Sequence, residues 1–200
     1  MVSDLWFNMA AGLLLGYALG SIPFGLLLTR VAGGGDIRSI GSGNIGATNV
    51  LRTGRKGMAA LTLILDVLKG FFAVWLASRF LPGGEILAAA GAFFGHLYPA
   101  WLGFKGGKGS ATFGGILFGL FWQGGVIYAG VWLTVLIVSR FSSVAGLVAA
   151  LAAPIAAAIF GYYDLVPMLA ACTLIIFWKH RTNIERLIDG TEPRIGKSKS

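Results

Sequence analysis

Six apolar stretches, over residues 5–28, 58–81, 86–102, 111–138, 144–160 and 164–178, constrain this chain more than any motif in it. None alternates polar and apolar residues as a half-buried strand does. Several approach the ~20 residues that a helix needs to cross ~30 Å of hydrocarbon. Only 12% of the residues are charged and 56% are hydrophobic, too little polar material to cover a soluble domain. In lipid the backbone must satisfy its own hydrogen bonds, which leaves helices as the way across. The expected fold class is therefore all-α and polytopic, a single transmembrane domain over residues 1–200. The first stretch reads as a retained span. No basic segment leads it, Asp4 is its only early charge, and Gly20-Ser-Ile-Pro is a poor cleavage site.

Charge decides the number of spans. If 111–138 breaks at Gln123-Gly124-Gly125, it forms two short spans, 111–122 and 126–138, and the total is seven. Fourteen of the 16 basic residues then share one side, including Arg30, Arg38, Arg52, Arg55, Lys56, Lys105, Lys108, Arg140 and the tail 179–200. Arg79 stays outside and Lys69 lies within a span. A six-span chain puts Arg140 and the tail outside, against the tendency of basic loops to stay in the cytoplasm. The expected topology has an outside N-terminus and a cytoplasmic C-terminus. The net charge of +8 is accounted for in this way, without nucleic acid. The single Cys172 lies in an apolar run and reads as a small core residue, so neither a disulfide nor a thiolate metal cluster is expected.

Three polar segments fall on the cytoplasmic side: Asp36 to Arg52, Gly95 to Thr112 and Lys179 to Arg186. Each combines hydrogen-bond donors with positive charge and few carboxylates, the chemistry of anion capture. Gly41-Ser-Gly43-Asn-Ile-Gly46 has the letters of a dinucleotide fingerprint, but an apolar span precedes it where the motif needs a strand. Lys105-Gly-Gly-Lys108-Gly-Ser110 likewise falls short of a Walker A loop, because Gly109 follows the lysine. The physics of such a loop survives without the motif. Gly106, Gly107 and Gly109 can turn successive amides toward one anion, Lys108 adds charge, and the following helix offers its positive end. In the first segment Ser42, Asn44 and Thr48 are small donors, which read as a phosphate site at a helix start or as an ordinary glycine loop with a solvated Arg52. A helix beginning near Ala47 puts Thr48 and Arg52 one turn apart on one face. His180 and Asn183 share a face by their spacing and read as substrate contacts or as interfacial residues. His96 reads as either structural or catalytic. Asp66 and Lys69, one turn apart within a span, read equally as a functional pair or as an ion pair locking two helices.

Together these segments resemble the bacterial acyl-phosphate:glycerol-3-phosphate acyltransferases, integral membrane enzymes that make lysophosphatidic acid. The match is carried by Gly20-Ser-Ile-Pro-Phe-Gly25, Gly41-Ser-Gly-Asn-Ile-Gly-Ala-Thr-Asn49 with Arg52, Gly95-His96 through Pro99, Phe104-Lys-Gly-Gly-Lys-Gly109 with Ala111-Thr112, and Lys179-His-Arg-Thr-Asn-Ile-Glu-Arg-Leu187. Ser110 departs mildly, standing where a small apolar residue is usual. The resemblance implies seven helices and a cytoplasmic active site in the bacterial inner membrane. It implies acyl transfer from acyl phosphate to the 1-hydroxyl of glycerol 3-phosphate, the first acylation of phospholipid synthesis, with no cofactor. A soluble enzyme that supplies acyl phosphate is an implied partner. Substrate and phosphate contacts carry over onto Ser42, Thr48, Arg52, Lys108, Ser143, His180 and Asn183, the last four as the expected catalytic residues.

The residues also bear on mechanism. Soluble-type glycerolipid acyltransferases use His-x-x-x-x-Asp, but His96 is followed at that spacing by Trp101 and His180 by Glu185. An acyl phosphate carries a good leaving group, which can itself take the hydroxyl proton. A transporter or lipid flippase is the rival from another class, and it predicts inverted repeats and motifs reachable from both sides. A basic lipid-binding scaffold is a third reading, one that has no need of Ser, Asn, Thr and His placed together.

Overall fold

The computed structural model describes residues 2–196. Lys197 and Lys199, counted above among the tail's bases, lie outside the described residues. Among the described residues every regular element is helical: α1 (Val2–Gly20), α2 (Phe24–Val31), α3 (Ala47–Leu51), α4 (Lys56–Phe80), α5 (Glu85–Leu97), α6 (Ser110–Leu120), α7 (Trp122–Ser139), α8 (Ser142–Ile159), α9 (Val166–Lys179) and α10 (Arg181–Ile188), with two short 3₁₀ turns at Ile37–Ser39 and Ala100–Leu102. Four segments are long and apolar enough to cross a membrane: Val2–Val31, Lys56–Phe80, Trp122–Ser139 and Ser142–Ile159. The chain divides into two compact units, Met1–Leu120 and Phe121–Ser200.

In the first unit small residues bring backbones together. Gly12, Gly16 and Gly20, one per turn on α1, are buried. A methyl at Gly16 or Gly20 would strike the backbone of Ala88 or Ala92 on α5. Gly91 and Gly95 of α5 return the fit against Leu13 and Tyr17 of α1. Lipid gives apolar helices no hydrophobic reason to associate, so this close approach is what holds them. Gly70 and Gly115 do the same between α4 and α6.

The first apolar stretch, expected as a span over 5–28, lies within one candidate span, Val2–Val31, whose helix is interrupted. It stops at Gly20 and resumes at Phe24, because Pro23 has no N–H to continue the ladder. Carbonyls released there must find donors away from water. The Trp101 indole N–H donates to Ser21 O at 3.0 Å, and Lys69 Nζ donates to Ile22 O at 2.8 Å. Beyond the break, Leu26, Ile37, Ile45, Val50 and Ala59 form a small core under the polar loop.

The stretch over 111–138 does break, but at Phe121 and not at Gln123-Gly124-Gly125. Phe121 is extended (φ −157°, ψ 114°) while the two glycines lie buried inside α7. They are there for packing: a methyl on Gly124 would overlap the Phe121 ring, which lies 4.9 Å from the Tyr162 ring, centroid to centroid. Within this second unit α7 and α8 pair as an antiparallel hairpin turned at Arg140, which adopts a left-handed φ of 62°. α9 packs on α8, with the Thr173 hydroxyl donating to Ala150 O at 2.8 Å. Large apolar side chains such as Leu14, Ile137, Val138 and Leu174 face outward, as lipid permits.

Candidate functional site

The first polar loop is built around one side chain that its sequence did not single out as an organiser. Asn49 is 2% exposed. Its Nδ2 donates to the carbonyls of Ile37 (3.0 Å), Ile40 (2.9 Å) and Asn44 (2.8 Å), and its Oδ1 accepts from Ser42 N (3.0 Å). An amide with two donors and one acceptor can tie a loop at several places at once. Asp36 caps the 3₁₀ turn by accepting from Arg38 N at 2.9 Å. The side-chain bond from Arg38 holds the Asp36 carboxyl far below the ordinary carboxylate range.

On this scaffold Ser42, Thr48 and Arg52 are exposed. The helix does begin at Ala47, and Arg52 caps its C-terminus. Gly41, at φ 59°, leaves room for the Arg52 side chain beside it. Asn44 also shapes the turn: its Oδ1 accepts from Gly46 N at 2.9 Å.

The glycine loop docks on the end of α5. Gly106 N–H donates to Leu97 O at 3.1 Å and Gly107 N–H to His96 O at 2.9 Å. These two amides therefore bind backbone carbonyls. The expectation that they face an anion gives way to close packing, since a methyl at Gly107 would overlap the His96 imidazole. Gly109, at φ 93°, turns the chain into α6. Lys108 is half-buried at that turn. The first-turn amides of an 11-residue helix, which have no intrahelical partner, follow it directly.

The remaining candidates lie in the second unit. Ser143, His180 and Asn183 are buried. His180 joins α9 to α10, and its Nδ1 lies 2.8 Å from Ile176 O. A carbonyl only accepts, so Nδ1 carries the hydrogen, and in the neutral ring Nε2 is the acceptor. A backbone carbonyl thus orients this ring in the role that sequence spacing sought in a carboxylate. Ser143 Oγ (2.8 Å) and Asn183 Nδ2 (2.6 Å) both donate to Glu192 Oε1, and Arg186 Nε donates to Glu192 Oε2 (2.7 Å). The sequence reading missed Glu192. Its only signal was its place as one of three acids, with Glu185 and Asp189, in a basic tail. The tail is held by Ile195 N–H donating to Arg140 O at 2.8 Å and by the Arg140 guanidinium donating back to Ile195 O at 3.1 Å.

Burial acts to raise the Glu192 carboxyl, and the bonds from Asn183, Ser143 and Arg186 outweigh it, leaving the group below its ordinary value of 4.5. A depressed folded value means that the carboxylate stabilises the fold fully above 4.5 and loses that contribution as pH falls through the folded value. Glu192→Gln should therefore flatten the acid limb of the stability profile while lowering stability at pH 7. Thermal melts of both proteins between pH 7 and pH 3 check this. Parallel acid limbs would show that Glu192 carries none of the dependence.

The glycerol-3-phosphate acyltransferase family profile matches residues 10–190. The chain is 61% identical over 183 residues to a glycerol-3-phosphate acyltransferase of Erythrobacter litoralis, covering 92% of this chain and 93% of that one. It is 58% identical over 191 residues to one of Rhodopseudomonas palustris, covering 94% and 96%. Among solved structures it is similar to PlsY, an integral membrane glycerol 3-phosphate acyltransferase, in its glycerol 3-phosphate form. The TM-score is 0.86 at 34% identity, over 96% of both chains. The lysophosphatidic acid form of PlsY matches with the same TM-score of 0.86.

Proposed function

The chain belongs to the glycerol-3-phosphate acyltransferase family and is a multi-pass membrane acyltransferase, and on that premise we propose that its donor is an acyl phosphate and its product lysophosphatidic acid. The observation that carries this reading is the family match over residues 10–190, which takes in all three polar segments. Their cations and hydroxyls suit two substrates that both carry phosphate.

In the proposed reaction the 1-hydroxyl oxygen of glycerol 3-phosphate attacks the acyl carbonyl carbon. A carbon–oxygen bond forms, and the bond from that carbon to the phosphate oxygen breaks. Inorganic phosphate leaves and takes the hydroxyl proton, so no strong protein base is required. In the first unit Ser42, Thr48, Arg52 and Lys108 bind phosphate and offset its charge, with Asn44, Gly106, Gly107 and Gly109 shaping the loops that present them. In the second unit Ser143, His180 and Asn183 position substrate. Positioning and charge stabilisation are then the protein's main contributions. Purified protein given acyl phosphate and glycerol 3-phosphate should form lysophosphatidic acid with no other protein or nucleotide present. Formation only with acyl-CoA or acyl carrier protein would overturn the proposed donor.

We place the protein in the bacterial inner membrane as one domain with seven spans, the site residues facing the cytoplasm. The spans are the α1–α2 stretch, α4, α5, α6, α7, α8 and α9. Support comes from the positive-inside distribution and from the helix break at Phe121. Expected in intact cells of a Cys172→Ala background is labelling of Trp122→Cys by a membrane-impermeant thiol reagent, whereas Asp189→Cys labels only after lysis. Both positions are exposed. Labelling of both from one side would sink the seven-span arrangement.

A further inference from the structure

One group of ionisable side chains has no part in the reaction written above. Asp66 and Lys69 stand one turn apart on α4, with side chains only 5% and 2% exposed, and Lys69 Nζ lies 2.7 Å from Asp66 Oδ1. A charge inside an apolar bundle persists when its partner neutralises it. Here each partner also reaches further. Lys69 Nζ donates to Ile22 O at 2.8 Å, closing the break in the first apolar stretch. Asp66 Oδ1 lies 3.8 Å from Nδ1 of His96, whose side chain is 4% exposed. On the opposite edge of that ring Nε2 lies against Gly107, closely enough that a methyl there would overlap it. Gly107 N–H donates to His96 O at 2.9 Å. The next residue is Lys108.

We propose that Asp66, Lys69 and His96 are positioning residues for acyl transfer. Together they form an unbroken line of contact from the Ser21–Pro23 break, through α4 and the end of α5, to the loop that carries Lys108. Lys69 sets α4 against the break, Asp66 faces the His96 ring, and that ring seats Gly107 and so fixes where the Lys108 ammonium stands. The inference rests on Lys108 being a phosphate contact. The spacing of Asp66 and Lys69 left a functional pair and a helix lock equally open. The tertiary contacts make the lock itself functional, because what it locks is the loop.

The test uses full-length enzyme purified into lipid vesicles, with rates normalised to folded protein and each substrate varied separately. His96→Asn should raise the KM for one phosphorylated substrate about tenfold, which is ~1.4 kcal/mol of binding, and leave the other KM within about twofold. Asp66→Asn should raise the same KM. A pair that merely holds helices together would lower the folded yield and leave both KM values unchanged, and that result would overturn the proposal. Should Asp66→Asn not fold, a double-mutant cycle between His96 and Gly107 decides. Gly107→Ala alone pushes its methyl into the imidazole. Adding the shorter side chain of His96→Asn vacates that space and should recover activity about threefold or more over Gly107→Ala. Losses that multiply with no recovery would show that the contact transmits nothing. A parallel Lys108→Ala variant separates the two levels. Wild-type kinetics there sink the phosphate reading itself. Strong impairment there, beside normal kinetics for His96→Asn and Asp66→Asn, sinks only the positioning.

Discussion

Lys108→Ala is expected to remove all but about 1% of activity while the protein still inserts and purifies as a folded species. Lys108 stands half-buried where Gly109 turns the chain into α6. Its neighbours Gly106 and Gly107 give their amides to the carbonyls of Leu97 and His96. With those amides occupied, more of the attraction for a phosphate falls on the Lys108 ammonium and the first turn of α6 than the glycine pattern implied. A charge-assisted bond contributes ~1.5–3 kcal/mol, and more if it tightens as charge moves onto the leaving phosphate. Lys105 is exposed and precedes both glycines, so Lys105→Ala should lower activity by about threefold at most, a surface-charge effect. The measurement is kcat and KM for each substrate in both variants. Equal activity of Lys108→Ala and wild type would end the phosphate role, and equal impairment of both lysines would reduce it to a general attraction for anions.

The second large effect concerns His180. Its Nδ1 hydrogen is committed to Ile176 O, so in the neutral ring Nε2 is the acceptor. An acceptor nitrogen on this ring suits either a base or a positioning acceptor. The two differ in what glutamine can replace. A glutamine amide accepts a hydrogen bond with its oxygen but does not take a proton at neutral pH. Loss of an obligatory base costs about 10²–10⁴-fold in rate. We expect His180→Ala to lower kcat/KM by about 10²-fold, mainly through the KM of one phosphorylated substrate, and His180→Gln to recover about tenfold of it. The acyl phosphate brings its own leaving group and proton acceptor, which is why the recovery is expected. If alanine and glutamine are equally inactive in kcat at unchanged KM, His180 is the base and the substrate-assisted route is wrong.

These expectations divide between what residues announce and what contacts decide. Apolar run length announced helices, because lipid offers unpaired backbone no alternative partner. The density of small donors and cations marked the loops that we propose bind phosphate. Ser42, Thr48 and Arg52 are exposed, since short-range glycine and asparagine turns shape their loop. Helix boundaries were less legible. Gln123-Gly124-Gly125 looked like a break, yet the break is at Phe121 because its ring needs the space that Gly124 leaves.

The sequence by itself determined the helical class, the membrane setting and the family. Each of these follows from composition or from neighbours within a turn or a loop. Only the tertiary structure decided that Glu192 gathers Ser143, Asn183 and Arg186. It also decided that Ile176 O orients His180 and that the buried Asp66–Lys69 pair is tied to both the Pro23 break and the Lys108 loop. Those partners lie up to 49 residues apart along the chain. Local spacing carries no signal over the longest of these separations, because such a hydrogen bond depends on where the packed helices bring its two ends.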